Sequence, residues 1–259
     1  MRELLTASFL LFRIQLASLA RSKRTLVCAA LAALPPMFAL LVIHFGPDRS
    51  PSTAVSFIAW SLSLQVIVPI VALVAGSSVV TEELENRTIT YLFTRPIPRA
   101  SLLLGRWLAA FVVAGVLLGA SAVGVVLAAA DGDPLGALAS PRARGLLTAS
   151  IAGGAAYSML FAVAGVFVRR SMILGLAYAF AVEGLVANLP GEMQSLSLQY
   201  QLRGLFVRPG MDELERLSTW GLDQLPGIGA AAQNLAIAFL VALAIGCWGI
   251  RRRQYLVSA

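Results

Sequence analysis

Apolar residues fall along this chain in six long blocks, separated by short polar or charged stretches. The first runs from about Thr25 to Phe45, the second from Ala54 to Val80, and the third from Gly105 to Ala130. The fourth runs from Gly145 to Val168, the fifth from Met172 to Leu189, and the sixth from Gly229 to Ile250. A helix rises about 1.5 Å per residue, so each block is long enough to cross a hydrocarbon core of roughly 30 Å. The pattern predicts an all-α membrane protein with six transmembrane helices in a single domain over residues 1–259. The fifth block is the shortest.

Ahead of the first block, Leu5, Phe9, Phe12, Leu16 and Leu19 recur at steps of three and four residues. Arg2, Thr6, Arg13 and Gln15 fall largely on other parts of the wheel. This spacing predicts an amphipathic interfacial helix over residues 1–22. Arg13 interrupts the apolar run and Glu3 sits where a signal peptide would be purely basic, which argues against a cleaved leader. Inside the first block, Pro35 and Pro36 remove two backbone donors and are expected to bend the helix.

Composition agrees with the blocks. Apolar residues make up 58% of the chain and charged ones 13%, about half the charged share of a soluble domain. The net charge of +7 does not indicate nucleic acid, because the basic residues stand in small groups between apolar blocks with no continuous basic face. They instead report orientation. Fourteen lie on the side shared by the two ends of an even-numbered bundle: Arg2, Arg13, Arg21, Lys23, Arg24, Arg87, Arg95, Arg99, Arg106, Arg169, Arg170, Arg251, Arg252 and Arg253. Six lie on the other: Arg49, Arg142, Arg144, Arg203, Arg208 and Arg216. The positive-inside rule then puts both termini in the cytosol.

Much chemistry is missing from the residues themselves. The sole lysine, Lys23, has no glycine-rich turn beside it, so a phosphate-binding loop is absent. The sole histidine, His44, stands at the outer end of the first block, and a hydrolytic pair would have to use that one imidazole. Cys28 and Cys247 both fall within apolar blocks, as small buried hydrophobes do. Two thiols alone make no structural metal site. Glu183 is the one carboxylate within a block, near its outer end. Intramembrane acids mark either a pathway or a paired structural site. The residues admit both a proton-coupled carrier using Glu183 and a hydrogen bond from it to a neighbouring helix or the outer segment. Gly115 and Gly119 form a G-x-x-x-G step, and Gly153-Gly154 lie in the next block; such residues let backbones approach closely in lipid. Packing within the subunit is the expected use, and a dimer seam the alternative.

Two connecting segments are long. The outer one, residues 190–228, mixes acidic and apolar residues, and Met211 to Leu225 has the spacing of an amphipathic helix at the outer surface. The cytosolic one, residues 81–104, opens with Glu82, Glu83 and Glu85, then runs Asn86-Arg87-Thr88-Ile89-Thr90-Tyr91-Leu92-Phe93-Thr94-Arg95-Pro96-Ile97-Pro98-Arg99. The carboxylates suit the positive N-terminus of a short helix, Thr81 its cap, and Pro96 and Pro98 its end.

The order Glu83, Glu85, Thr88, Leu92, Arg95-Pro96, Arg99 and Gly105-Arg106 before a span resembles the type-2 ABC transporter permeases. Arg87 stands where many members of that family have glycine. The resemblance covers nearly the whole chain: an amphipathic N-terminal helix, six spans and a long outer segment after the fifth. It implies the membrane subunit of an ATP-driven exporter, located in a bacterial or archaeal plasma membrane. It also implies a division of labour, with no catalytic residue or cofactor in this chain and with ATP and Mg on a separate ATP-binding subunit. That subunit would dock on Glu82, Glu83, Glu85, Arg87, Thr88, Leu92, Arg95, Pro96 and Arg99, with Arg169 and Arg170 as a second contact. A second permease copy, identical or homologous, would complete the pathway.

Overall fold

The computed structural model describes residues 2–45, 51–85, 99–130, 132–168, 170–186, 192–207 and 225–252. Every regular element among them is helical. Helix α1 covers Arg2–Ala20 and α2 covers Lys23–Phe45. A third helical rod begins as α3, Pro51–Ile58, passes through a π-helical stretch, Ala59–Ile67, and continues as α4, Val68–Glu85. Next come α5, Arg99–Ala128, a short α6, Pro134–Ala139, and α7, Pro141–Phe167. Helix α8, Ser171–Ala177, runs through a second π-helical stretch, Tyr178–Val182, into α9, Glu183–Val186. A 3-10 turn, Glu192–Leu196, leads to α10, Leu198–Val207, and α11 covers Ile228–Arg252.

Among the described residues, five helical stretches are long and apolar enough to cross a membrane: Lys23–Phe45, Val55–Val79, Leu103–Ala128, Pro141–Phe167 and Ile228–Ile250. They coincide with the first four blocks and the sixth. The fifth block appears as a shorter apolar helix, Ser171–Val186. Its ladder shifts to i→i+5 at Tyr178, where the Glu183 N–H reaches the Tyr178 carbonyl. The same shift occurs in the second block, where the Val68 N–H reaches the Ser63 carbonyl. Such bulges widen a helix locally and recur at functional positions.

Local chemistry explains several boundaries. Ser140 caps α7 by accepting from the Ala143 N–H at 3.1 Å, and Pro141 occupies the first turn, where no donor is needed. Asp133 caps α6 in the same way through the Gly136 N–H at 3.0 Å. Helix α2 continues through Pro35 and Pro36, with Pro35 buried. The ring of Pro36 lies so close to Gly124 of α5 that a Cβ there would sit 2.8 Å from it.

The core is built on α7, which packs against α4, α5, α10 and α11. Gly76 of α4 meets the Ser158 backbone of α7 closer than any Cβ allows. Trp107 of α5 donates its indole N–H to the Ser158 hydroxyl at 3.0 Å and packs against Phe111 and Phe239. These contacts bring the C-terminal ends of α4 and α7 and the N-terminal end of α5 to one end of the bundle. The C-terminal part of α11 joins them, since Gly249 abuts the Phe167 ring.

Helix α1 packs along α5. Phe12 and Leu16 face the core and Leu19 is buried, as their spacing suggests, but Phe9 is exposed and Gln15 is buried. The outward face carries Phe9, Leu10 and Ile14, so it is apolar surface turned away from the bundle. Gly115 and Gly119 have nothing near the positions their Cβ atoms would take. This overturns the expectation that they pack within the subunit: their faces look outward, beside Val116, which is 65% exposed. Gly153 and Gly154 do pack inward, against Leu202, Val68 and Leu118.

Candidate functional site

Helix α10 is an unusual piece of the bundle. It lies in the segment expected as an outer connection, yet nearly all of its residues are buried, from Leu198 to Val207. It packs on α7, α11 and the π-helical stretch of the third rod. Leu202 sits against Gly153, near the middle of α7. A ten-residue helix is too short to cross a bilayer. It is therefore an inserted element sheltered by protein, which is the condition for backbone to change direction at membrane depth.

A buried helix start leaves unpaired N–H groups that no water can satisfy. Glu183 supplies the acceptors. Its Oε1 accepts from the Leu198 N–H at 3.1 Å, and its Oε2 from the Gln199 N–H at 3.1 Å. The Ser197 hydroxyl donates to Oε2 at 2.6 Å and accepts from the Tyr200 N–H at 3.3 Å. The Tyr178 hydroxyl donates to Oε1 at 2.8 Å. Glu183 is 1% exposed, and four donors converge on its two oxygens. It caps a helix whose first residue, Leu198, lies 15 positions further along the chain.

Further contacts hold the inserted helix. Gln199 donates from Nε2 to the Gln65 carbonyl at 3.3 Å, inside the first π-helical stretch. Gln201 donates from Nε2 to the Ser195 carbonyl at 2.6 Å. The Arg203 guanidinium lies 5.0 Å from the centroid of the Trp60 ring, and Trp60 also stacks on Phe206. Both π-helical stretches thus touch this assembly, one through Trp60 and Gln65, the other through Tyr178. The apolar repeat of Leu198, Leu202, Leu205 and Phe206 was the available signal for α10.

The second candidate region lies at the end of the bundle where α4 stops and α5 begins. Glu82, Glu83 and Glu85 belong to the last turns of α4, and Arg99 is the first residue of α5. This corrects the expectation that the carboxylates open a new helix behind a Thr81 cap. The ladder of α4 runs on through Thr81, so the acids sit at a helix C-terminus, where the macrodipole does not favour them. Arg106 ties the two helices together by donating from Nη1 to the Val79 carbonyl at 3.4 Å. Arg87, Thr88, Leu92, Arg95 and Pro96 lie outside the described residues, as do Arg169 and most of Met211 to Leu225. Arg170 is exposed and precedes α8 at the same end of the bundle.

A bundle of apolar helices that surrounds a capped, inserted helix defines a multi-pass membrane protein. The profile described as "ABC-2 family transporter protein" matches residues 12–184, more than half of the chain. The chain belongs to the ABC-2 transporter family, as a membrane component of the permease type. No curated protein matches it.

Proposed function

We propose that this chain is the permease subunit of an ABC exporter in the cell membrane, with six transmembrane helices and cytosolic termini. In this reading it pairs with a second permease copy and is driven by a separate ATP-binding subunit that carries ATP and Mg. The observation that carries the proposal is the family match, whose span includes the cytosolic segment and the Arg169-Arg170 link. The docking surface comprises the Glu82–Arg99 segment and that link. Supporting it, Glu85, Arg99 and Arg170 all stand at helix ends on one side of the bundle.

The test is purification of the full chain from its native membrane in mild detergent. An ATP-binding subunit is expected to co-purify, and Glu83→Lys with Glu85→Lys is expected to reduce its recovery. Recovery of no such subunit, under conditions that preserve other ABC complexes, would overturn the proposal. Unchanged assembly and transport in the double variant would remove the docking role.

The donors around Glu183 favour a structural cap over an ion-coupled carrier, because an incoming proton or cation would have to displace a donor. Transport driven by a pH gradient without ATP would favour the carrier. A non-transporting scaffold differs from both in moving no solute across sealed vesicles.

A further inference from the structure

Four donors fill the Glu183 carboxylate, two on each oxygen: Tyr178 and Leu198 on Oε1, Ser197 and Gln199 on Oε2. A carboxylate offers about four lone-pair sites, so a further donor has no place on it. A fifth nevertheless stands beside it. Tyr157 of α7 is fully buried, and its hydroxyl lies within electrostatic reach of Glu183. Among the described residues, that hydroxyl meets no acceptor in hydrogen-bonding geometry. Packing fixes its position. Phe161 stacks on Tyr157 with centroids 5.9 Å apart and meets the Tyr178 ring edge-on at 6.4 Å. A Cβ on Gly175 would lie 3.0 Å from the same Phe161 ring, so α7 and α8 run side by side here. The short link between them makes them antiparallel. Tyr157, one turn before Phe161, therefore faces the turn that ends at Glu183.

Burying a hydroxyl without a partner is unfavourable, which argues that Tyr157 gains an acceptor in another state of the protein. Only one of the four donors can leave without undoing α10. The Leu198 and Gln199 amides belong to its first turn, and the Ser197 hydroxyl also accepts from the Tyr200 N–H. Tyr178 reaches in from the fifth apolar helix, and its reach depends on the π-turn that joins its carbonyl to the Glu183 N–H. In an α-helix, residues five apart stand about 140° apart around the axis, so tightening that turn separates the phenol from the carboxylate. We propose that Tyr157 is the standby donor for Glu183: it takes the place of Tyr178 on Oε1 when the π-turn tightens, so that α8 turns about the cap while α10 stays held. The swap keeps four hydrogen bonds on the carboxylate in both states and gives the Tyr157 hydroxyl an acceptor. The outward residues Met172, Ile173 and Leu176 are exposed and apolar, so lipid accommodates α8 in either orientation. This inference does not depend on the transport reading.

The test is NMR of the full chain in lipid nanodiscs with tyrosine labelled at Cζ, whose shift reports the hydrogen bonding of each phenol. The chain has five tyrosines, and single phenylalanine variants assign their signals. Tyr178→Phe removes the departing hydroxyl but keeps the ring against Phe161, and the Tyr157 signal is expected to move to the hydrogen-bonded position. Deleting Ala181, an exposed residue in the π-helical stretch, should do the same by closing the turn. Amide exchange at Leu198 and Gln199 separates the swap from a merely structural pair of tyrosines. It should stay within about twofold of wild type in Tyr178→Phe and in Tyr157→Phe, and rise roughly tenfold when both are changed, the worth of one hydrogen bond to a carboxylate. An unmoved Tyr157 signal in Tyr178→Phe would overturn the proposal, as would single changes whose effects on exchange simply add. Because the phenylalanine variants keep both rings, they leave the test decisive if the deletion variant does not fold.

Discussion

The Glu183 carboxylate accepts the Ser197 hydroxyl at 2.6 Å and so joins the end of one apolar helix to the start of a buried one. The Leu198 and Gln199 amides complete the cap. Any movement of the fifth apolar helix must therefore carry α10 with it or break hydrogen bonds that no water replaces.

Removing this cap has a direct readout. Glu183→Ala leaves two backbone N–H groups and the Ser197 and Tyr178 hydroxyls without their acceptor, at a cost of about 2–5 kcal/mol. Amide exchange at Leu198 and Gln199 is expected to accelerate, together with a lower Tm in detergent. Unchanged exchange at both positions would show that the cap does not hold α10.

Gly76 tests the packing of α4 on α7. Gly76→Ala places a Cβ against the Ser158 carbonyl oxygen, and separating the helices costs about 1–3 kcal/mol. Gly115→Ala is the comparison, because its Cβ meets nothing, and it should leave the Tm unchanged. Equal thermal stability of the two variants would contradict the close approach.

The outward Gly115–Gly119 face bears on assembly. If it lies at the proposed seam between permease copies, Gly115→Leu with Gly119→Leu should weaken inter-subunit cross-linking while the subunit itself remains folded. Cross-linking at the wild-type level would assign the face to lipid.

Trp107 and Ser158 offer a pairwise measurement. Trp107→Phe preserves an aromatic ring but loses the indole donor, and Ser158→Ala loses the acceptor. Each is expected to cost about 1 kcal/mol, with the double variant costing less than their sum. Strict additivity would mean that the bond contributes nothing to stability.

The hydropathy blocks were legible because a span must be apolar over its whole length, whatever its neighbours are. Their ends shifted by only a few residues, as at Lys23 and Arg99, where polar residues extend a helix beyond its apolar part. Thr81 misled for a related reason. A capping residue is informative only where the ladder breaks, and here that of α4 does not. Helix α10 was hidden because its arginine and its glutamines read as surface. Their partners, Trp60, Gln65 and Ser195, are identifiable only once the chain has folded.

By itself, the sequence determined the membrane class, the positions of the apolar helices and the uneven distribution of basic residues. Those are local properties, set by the cost of placing polar groups in hydrocarbon. Only the tertiary structure decided that Glu183 caps an inserted helix, that Gly76 faces a neighbour, and that Gly115 and Gly119 face outward. Each of those depends on which distant segment arrives beside a residue, and a carboxylate or a glycine looks the same in the chain whichever neighbour it meets.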